Sequence, residues 1–370
     1  MNIAIVGCGN CAASLVQSLQ LGYDNQKITG FIPERIAGET IRDIHVVAAI
    51  DVDARKVGQD LSVALTTPPN VARTLTNLLP SGVIVNMGPI LDGVAEHMIS
   101  NDDQISFQPA RETTPVDVAS LFRDRDVDVV VNLIPVGSRK ATEYYAKATL
   151  KAGAGFVNGI PVFIASDQKW ASLYKKKRLP LLGDDMKSQF GATRIHRALV
   201  ESIIASGLKI CSTDQENWGG NTDFKNMIAI DRRSDKLESK HASIATLFKG
   251  NFPEIYAGPA RGARGGFVSG MGDRKRATIN IECVGFGGVP IDVRATLECD
   301  DSPNAAAVLV DVIRIAAAAK RAGIGGPLEE VCAKYFKHPP VPYGEDEGRA
   351  RCERWITLVE RELGLGENRD

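Results

Sequence analysis

The fold class predicted from the sequence is α/β, with a Rossmann-like, doubly wound parallel sheet and a second α+β domain that contains a largely antiparallel sheet. In the first half, apolar strand-like segments alternate with segments of helical periodicity, which is typical of a parallel sheet. Beyond residue 205, polar and apolar residues alternate instead, as in antiparallel strands with one covered face. We therefore expect residues 1–205, completed by 302–370, to form the first domain and residues 206–301 to form the second.

The composition excludes several functional classes. The chain has 370 residues, of which 44% are hydrophobic and 24% charged, and this is enough material for two cores. Its 44 Lys and Arg nearly balance its 45 Asp and Glu, so no overall charge attracts nucleic acid or an anionic membrane. The first strand follows no basic leader, and no apolar run reaches about 18 residues. We expect a cytoplasmic protein that binds neither nucleic acid nor membranes.

The cysteines are scattered and odd in number, which fits reduced thiols better than a disulfide framework. Cys8 and Cys11 form a C-x-x-C pattern, which also occurs in redox and zinc sites. Both lie inside a glycine turn, and no second C-x-x-C completes a set of four ligands. We interpret them as small turn residues.

The segment "NIAIVGCGNCAASLVQSL" has the pattern of a dinucleotide-binding turn. Gly7 permits the tight turn, Gly9 lets the backbone approach a pyrophosphate, and Ala12 keeps the following helix close to the strand. A glycine turn without a ligand is the alternative interpretation. The turn predicts these cofactor-binding residues: Gly7, Gly9, Asn10, Cys11 and Ala12.

An acidic residue at the tip of the next strand supports this interpretation. Asp51 ends the segment "IHVVAAID", and we expect Asp53 to begin the following helix. A carboxylate at the strand tip accepts hydrogen bonds from both ribose hydroxyls and repels a 2′-phosphate, so NAD is favoured over NADP. The separation from the glycines is about twice the usual distance of about 20 residues, because residues 24–43 form an insertion.

Three further strands are predicted at residues 126–137, 155–164 and 179–185. Polar residues follow the first and last of them, at the edge of the sheet where ligands bind in such folds. The aspartates could instead be helix caps, which is a common position for Asp. We expect the segment from Lys187 to Thr193 to start a helix. The cofactor-binding candidates in this region are Asn132, Pro135, Ser138, Asp184, Asp185, Ser188 and Thr193.

The motifs "GDDMKSQFGAT", "NWGGNTDFKNM", "LESK", "GDRK", "DDSPNAA" and "GIGGP" resemble those of bacterial myo-inositol-1-phosphate synthases, in the same order over nearly the whole chain. The resemblance implies an isomerase that keeps NAD bound throughout its cycle. Such enzymes oxidise carbon 5 of open-chain glucose 6-phosphate, join carbon 6 to carbon 1 in an aldol step, and return the hydride. It also implies a homotetramer assembled through the sheet of the second domain, which would be both catalytic and oligomeric.

The resemblance also suggests roles for individual residues. Lysines in this family hold the substrate phosphate, act as the base and stabilise oxyanions, as such chemistry requires. The catalytic candidates are Lys240, Lys275, Lys337, Asp223 and Asp301. The substrate-binding candidates are Lys187, Gln189, Asn217, Gly220, Asn221, Ser239 and His241. Alternatively, such lysines are solvated and such Asp and Asn residues form caps and turns.

Other lysines, Lys236, Lys249 and Lys320, are interpreted as solvated surface charges. The acidic residues would suit Mg²⁺ or a monovalent ion, but no spacing of ligands identifies a metal site.

One position departs from the family pattern. Family members have a second lysine four residues after the position of Lys240, whereas this chain has Ile244. An isoleucine cannot donate a hydrogen bond, so either His241 or Lys249 replaces the contact or the substrate differs. We therefore keep an alternative substrate, fructose 6-phosphate, from which the same chemistry would close a five-membered ring for carbocyclic nucleoside biosynthesis.

Two further alternatives belong to other functional classes. A non-catalytic NAD-binding regulator would keep the fold and lose the chemistry, but it would not need all the lysines and acids of the motifs. An ordinary dehydrogenase would accumulate NADH in the presence of its substrate, whereas the family reaction has no net redox change.

Overall fold

The computed structural model describes residues 1–24, 28–30, 34–100, 104–250 and 252–365. Within them the chain forms eleven strands and eleven α-helices. The strands are β1 (Asn2–Val6), β2 (His45–Asp51), β3 (Val85–Met87), β4 (Val129–Asn132), β5 (Gly155–Asn158), β6 (Pro180–Leu182), β7 (Lys209–Gly219), β8 (Glu254–Pro259), β9 (Arg274–Val284), β10 (Pro290–Asp300) and β11 (Gly326–Pro327). The helices are α1 (Asn10–Tyr23), α2 (Leu61–Ala64), α3 (Val118–Asp124), α4 (Arg139–Ala152), α5 (Gln168–Lys177), α6 (Ala192–Ala205), α7 (Thr222–Asn226), α8 (Ile230–Ala245), α9 (Asp301–Arg321), α10 (Glu329–Tyr335) and α11 (Glu345–Glu362).

The first sheet is parallel and has the strand order β11-β6-β5-β4-β1-β2-β3. Its centre is formed by the apolar segments that the sequence predicted, so the doubly wound sheet is confirmed. The strands are shorter than their apolar runs, and β5 already ends at Asn158. Strands β3 and β11 were not predicted, because segments of three and two residues carry no periodicity.

Helices cover both faces of this sheet. Helices α1 and α9 pack on each other and on one face, and α3 and α4 cover the other face. Among the described residues, α9 is the one helix with the length and composition of a membrane span, but 78% of its apolar window is buried. It is therefore a core helix.

The second sheet has the strand order β10-β9-β7-β8. Strands β10, β9 and β7 are antiparallel, and β8 pairs with β7 in parallel, so the predicted, largely antiparallel sheet is confirmed. Helices α6 and α8 cover one face with an apolar core. Helix α6 lies within the range expected for the first domain, yet it packs on the second sheet because its apolar residues Val200 and Ile203 face that core.

Two local expectations were wrong. Asp53 does not begin a helix, because the chain forms turns after β2 and α2 starts at Leu61 with Asp60 as its N-cap. Lys187 also precedes its helix rather than starting it, because α6 begins at Ala192. The segment between β6 and α6 is therefore a loop that carries polar side chains to the edge of the sheet.

Candidate active site

A large cavity lies where the carboxyl ends of the parallel strands face the second sheet. One wall consists of residues that follow β1, β2, β4, β5 and β6, as expected for a doubly wound sheet. The other wall comes from α7, α8, β9 and the start of α9. Of the residues predicted from sequence, the cavity brings together Gly7, Gly9, Asn10, Cys11, Asp51, Pro135, Asp185, Ser188, Asn221, Asp223, Lys240, Lys275, Asp301 and Lys337.

The glycine turn after β1 leaves room for a ligand. Gly7 has φ +92°, and a Cβ there would lie 2.8 Å from the carbonyl oxygen of Leu133, so only glycine fits. A Cβ on Gly9 would meet no atom within 4 Å, which leaves open space beside the start of α1. Asp51 is held at the tip of β2 by the backbone N–H of Cys8 at 2.8 Å and of Val52 at 2.7 Å. These residues fit a dinucleotide such as NAD, which the turn and Asp51 would hold.

Asp185 is the centre of a buried charge cluster. Its Oδ1 accepts hydrogen bonds from Lys337 at 2.9 Å and from Lys236 at 3.1 Å, and its Oδ2 accepts one from Ser239 at 2.7 Å. Burial alone would raise the pKa of Asp185, but the two lysines hold that pKa well below its usual range. Burial lowers the pKa of Lys337 to about 8. The carboxylate thus stays ionised, while the pKa of one of its partners lies well below that of an ordinary lysine.

A second ion pair lies on the opposite wall. Lys275 donates to Asp301 at 3.0 Å. Burial would lower the pKa of Lys275, but Asp301 raises it overall, so this lysine is a permanent cation. Behind this pair, Asp273 accepts hydrogen bonds from Asn221 at 3.1 Å and from the hydroxyl of Ser302 at 2.7 Å. Asp273 therefore positions two residues of the cavity wall.

Lys240 differs from the other lysines of the cavity. Its side chain is 6% exposed, and its ammonium makes no hydrogen bond or ion pair with any residue that the structure describes. Burial and the neighbouring cations Lys275, Lys236 and Lys337 lower its pKa well below the usual lysine value. A buried lysine whose pKa is lowered in this way is better suited to accept a proton than an ordinary lysine.

A smaller cavity shares three lysines, Lys240, Lys275 and Lys337, with the large one. Its other wall is the amino-terminal end of α6, whose N-cap Gly191 provides no side-chain cap. A helix start of this kind attracts anions, and the lysines add to the attraction. Three further predicted residues line this cavity: Lys187, Thr193 and Asn217.

No group of three or more His, Cys, Asp or Glu side chains is arranged to hold a metal ion within the described part of the chain. The charges of the site are instead supplied by lysines and aspartates.

The family model of myo-inositol-1-phosphate synthase matches residues 191–302, which include α6 to α8, the second sheet and the start of α9. Inositol-3-phosphate synthase of Mycobacterium tuberculosis is 40% identical over 361 residues, covering 96% of this chain and 95% of that protein. The enzyme of the same name from Mycolicibacterium smegmatis is 39% identical over 365 residues, covering 96% of this chain and 98% of that protein. The chain belongs to the myo-inositol-1-phosphate synthase family.

The identification from sequence motifs is thereby confirmed, and with it the prediction of an enzyme of the inositol-3-phosphate synthase type. Two solved structures agree with this chain in fold. The protein Ari2 superimposes with a TM-score of 0.74 at 28% identity, covering 97% of this chain and 99% of Ari2. A synthase-related protein from Thermotoga maritima has a TM-score of 0.75 at 23% identity, covering 96% and 98% of the two chains.

Asp184 does not line either cavity of this family member. It is fully buried, and its carboxylate accepts hydrogen bonds from Asn158 at 2.8 Å, from the N–H of Ile164 at 3.0 Å and from the hydroxyl of Ser166 at 2.9 Å. The expected contact of Asp184 with a cofactor does not fit this geometry, because its oxygens hold the loop after β5.

Four other predicted residues belong to the interior of the fold. Ala12 packs into the core from the buried face of α1, and Ser138 is completely buried before α4. Asn132 donates to the side chain of Asn158 at 2.9 Å inside the sheet. A Cβ on Gly220 would lie 2.6 Å from backbone atoms, so this glycine permits close packing. None of the four lines a cavity.

Three substrate-binding candidates also lie outside the cavity walls. Gln189 is exposed, and its amide donates to the carbonyl of Gly30 at 2.5 Å. His241 is exposed on α8. Ser239 does not line a cavity wall itself, but it donates a hydrogen bond to Asp185, which does. The first two therefore point away from the site, and the third orients a residue of it.

Ile244 is not part of the site. Its side chain has no exposed surface and packs with Ile203, Ile279 and Ile281 in the apolar core between the helices and the second sheet. Lys249, one of its suggested substitutes, is exposed. The isoleucine therefore fills the core in this chain and lines neither cavity.

Sequence reasoning missed several residues of the site. Lys236 was interpreted as a surface charge, which was wrong, because it contacts Asp185; its spacing of four residues from Lys240 was the available signal. Lys56 is buried and donates to the carbonyl of Cys8 at 2.7 Å and to Asn70 at 2.9 Å, which supports the glycine turn. No sequence pattern marks Lys56, because its partners are distant in the chain.

Proposed function

We propose that the protein is an NAD-dependent intramolecular aldol cyclase that converts D-glucose 6-phosphate into an inositol phosphate. The observation that carries this proposal is the position of Lys240, a buried lysine without a counter-ion where the large and small cavities meet. The similarity of about 40% to named inositol-3-phosphate synthases over nearly the whole chain supports the choice of reaction.

Gly7, Gly9 and Asp51 would hold NAD in the large cavity. The chemistry that bound NAD would supply there is reversible acceptance of a hydride from carbon 5 of the sugar. The carboxylate of Asp51 is already oriented by three backbone N–H groups, so little reorganisation is needed for it to accept ribose hydroxyls. The same charge disfavours the 2′-phosphate of NADP.

The small cavity suits the phosphate of the substrate. The uncapped start of α6, with Thr193 and Arg194, lines it together with the shared lysines. Backbone N–H groups at a helix start and cationic side chains are the usual ligands of a phosphate. With its phosphate held there, the sugar would extend past the lysines into the large cavity.

Lys240 would take a proton from carbon 6 after oxidation at carbon 5, since a buried lysine with a lowered pKa is a suitable base beside a ketone. Lys275 and Lys337 would donate hydrogen bonds to the oxygens that become negative during enolisation and ring closure. Their carboxylate partners, Asp301 and Asp185, fix them in place. Preorganised cations of this kind supply much of the rate enhancement in such reactions.

The direct test is product analysis. The purified protein is incubated with NAD and, in separate reactions free of isomerase, with glucose 6-phosphate or fructose 6-phosphate. The products are dephosphorylated and identified by mass spectrometry and NMR. We expect inositol from glucose 6-phosphate and no accumulation of NADH.

Each other outcome would support a different function. A cyclopentane polyol from fructose 6-phosphate would identify the carbocycle-forming alternative. Accumulated NADH would identify a dehydrogenase, and no turnover of either sugar would favour a regulator.

We also propose a homotetramer that assembles through the second sheet in the cytoplasm. Strand β10 is an edge strand with exposed side chains, and Phe286 at the preceding turn is fully exposed. An open edge and an exposed aromatic residue are features that assembly would cover. Light scattering of the purified protein tests the oligomeric state, and a monomer would contradict it.

A further inference from the structure

Lys56 is a buried lysine beside the glycine turn, in the segment between β2 and α2. It is 2% exposed, and it lines the large cavity together with Gly7 and Gly9. Its ammonium donates to the carbonyl of Cys8, the residue between the two glycines, at 2.7 Å. The positive charge therefore lies at the backbone of the turn itself.

The ammonium of Lys56 has one N–H without a protein acceptor. A lysine ammonium has three donors. Among the residues that the structure describes, two acceptors use them: the carbonyl of Cys8 and, at 2.9 Å, Oδ1 of Asn70. Both acceptors are neutral. One donor therefore remains for a ligand in the cavity.

Two carboxylates line the same cavity, Asp51 and Asp53, and neither forms an ion pair with Lys56. Asp53 is paired with Arg55 at 2.7 Å. Asp51 accepts hydrogen bonds from three backbone N–H groups. A buried cation costs free energy unless it is paired. We therefore expect a negatively charged group of a ligand at this point of the cavity.

The surroundings of the ammonium are held in place before any ligand binds. The amide of Asn70, whose oxygen accepts from Lys56, donates to the same carbonyl of Cys8 at 3.0 Å. Oδ1 of Asn10, at the start of α1, accepts from the N–H of Val71 at 2.7 Å. The lysine, the glycine turn and the loop after α2 thus form one hydrogen-bonded unit, so little reorganisation is needed to bind an anion.

The anion that fits this place is a pyrophosphate. The space beside Gly9 is open, and the N–H groups at the start of a helix such as α1 attract phosphates. A dinucleotide with a ribose at Asp51 would bring its pyrophosphate to this turn. A charge-assisted hydrogen bond from Lys56 would add to the attraction of the helix start.

We propose that Lys56 binds the pyrophosphate of the dinucleotide and supplies the positive charge that supplements the start of α1. The inference rests on the proposed function, in which NAD is held at the glycine turn. It gives Lys56 a contact with the cofactor in addition to its support of the turn.

Lys56→Met tests this assignment, because methionine is an unbranched side chain without a charge. The variant removes the contact with a pyrophosphate, while Asn70 still donates to the carbonyl of Cys8 and holds the turn. Lys176→Met is the matched control. Lys176 is exposed in the last turn of α5, and its replacement changes the overall charge by the same amount.

The first measurement compares ligands with and without a pyrophosphate. Calorimetric titration gives the Kd of each protein for NAD, ADP and adenosine, without substrate or turnover. We expect the Kd for NAD and for ADP to rise by about 10- to 100-fold in Lys56→Met, the usual effect of losing a hydrogen bond to a charged group. The Kd for adenosine should stay the same. Lys176→Met should bind all three ligands as the unmodified protein does.

The outcomes separate this inference from the proposed function. A purely structural role of Lys56 would weaken the binding of all three ligands by the same factor, because a displaced turn would also disturb the adenosine. That result would overturn the inference, as would an unchanged Kd for NAD and ADP in Lys56→Met. An unmodified protein that binds neither NAD nor ADP would overturn the proposed function, and this inference with it.

The second measurement is the salt dependence of NAD binding. Salt screens the attraction between a cation and a pyrophosphate, so the Kd of the unmodified protein should rise with the concentration of KCl. The rise should be smaller in Lys56→Met and unchanged in Lys176→Met. The same salt dependence in Lys56→Met as in the unmodified protein would contradict a charge contact between Lys56 and the cofactor. Thermal unfolding of each variant verifies that the comparison is made between folded proteins.

Discussion

Lys337 donates to Asp185 at 2.9 Å, and burial of this lysine lowers its pKa to about 8. In the proposed mechanism its cationic form would stabilise oxyanions, whereas Lys240 would have to be neutral to act as the base. Activity should therefore rise with pH as Lys240 loses its proton and fall again as Lys337 does. We expect a bell-shaped profile of kcat/KM with an alkaline limb near pH 8.

Lys337→Arg tests the origin of that limb. A guanidinium stays protonated throughout the accessible pH range. The alkaline limb should therefore be absent below about pH 9 in this variant, even if its maximum rate is lower than that of the unmodified protein. If the limb stays near pH 8 in this variant, Lys337 does not cause it.

Lys275→Met should lower kcat by about 10²- to 10³-fold, which is the usual effect of removing one donor to an oxyanion. Asp301 would lose its partner, and the remaining lysines could not reproduce the position of the lost ammonium. The control is Arg276→Gln, one residue further along β9, because Arg276 points to solvent. Steady-state kinetics give kcat for both variants. Equal losses of kcat would contradict the role of Lys275 as a donor to an oxyanion.

Gly9→Ala should weaken NAD binding by about tenfold or more, which corresponds to about 1.4 kcal/mol. The added methyl group meets no protein atom within 4 Å, so the fold should be unaffected while the space for the pyrophosphate is reduced. Gly7→Ala is the contrasting variant, because its Cβ would collide with the backbone of Leu133 at a positive φ, and it should destabilise the protein. Calorimetric titration with NAD and thermal unfolding separate the two effects, and an unchanged affinity in Gly9→Ala would place NAD elsewhere.

Ile244→Lys should not create a better catalyst. It would place an ammonium in the apolar core beside Ile279 and Ile281, which costs at least about 2 kcal/mol of unfolding free energy. Ile244→Val should cost about 1 kcal/mol. Urea unfolding compares the variants, and a stable lysine variant with raised kcat would return position 244 to the active site.

The parts of the site that local geometry dictates were predictable. A glycine turn such as that of Gly7 and Gly9 needs a special backbone conformation, which the sequence shows directly. Strands β3 and β11 were not predictable, because their short segments are held by neighbours in the sheet rather than by their own periodicity.

Charges were harder to assign, because a buried lysine and a solvated one look the same in a sequence. Lys236, Lys240 and Ile244 are each four residues apart and share one face of α8. That face lies over the cavity at the two lysines and over the core of the second sheet at Ile244. The point on α8 at which the surroundings change from cavity to core depends on how the helix packs. The helical spacing of the residues gives no information on that packing.

The central claim is that a hydride leaves carbon 5 of glucose 6-phosphate and returns to the same molecule. The decisive measurement uses glucose 6-phosphate labelled with deuterium at carbon 5, incubated with the protein and unlabelled NAD, followed by NMR and mass spectrometry of the dephosphorylated product. We predict inositol that retains the deuterium at the same carbon, with no accumulation of reduced cofactor. Deuterium that accumulates in the cofactor, or inositol that has lost it, would contradict the account.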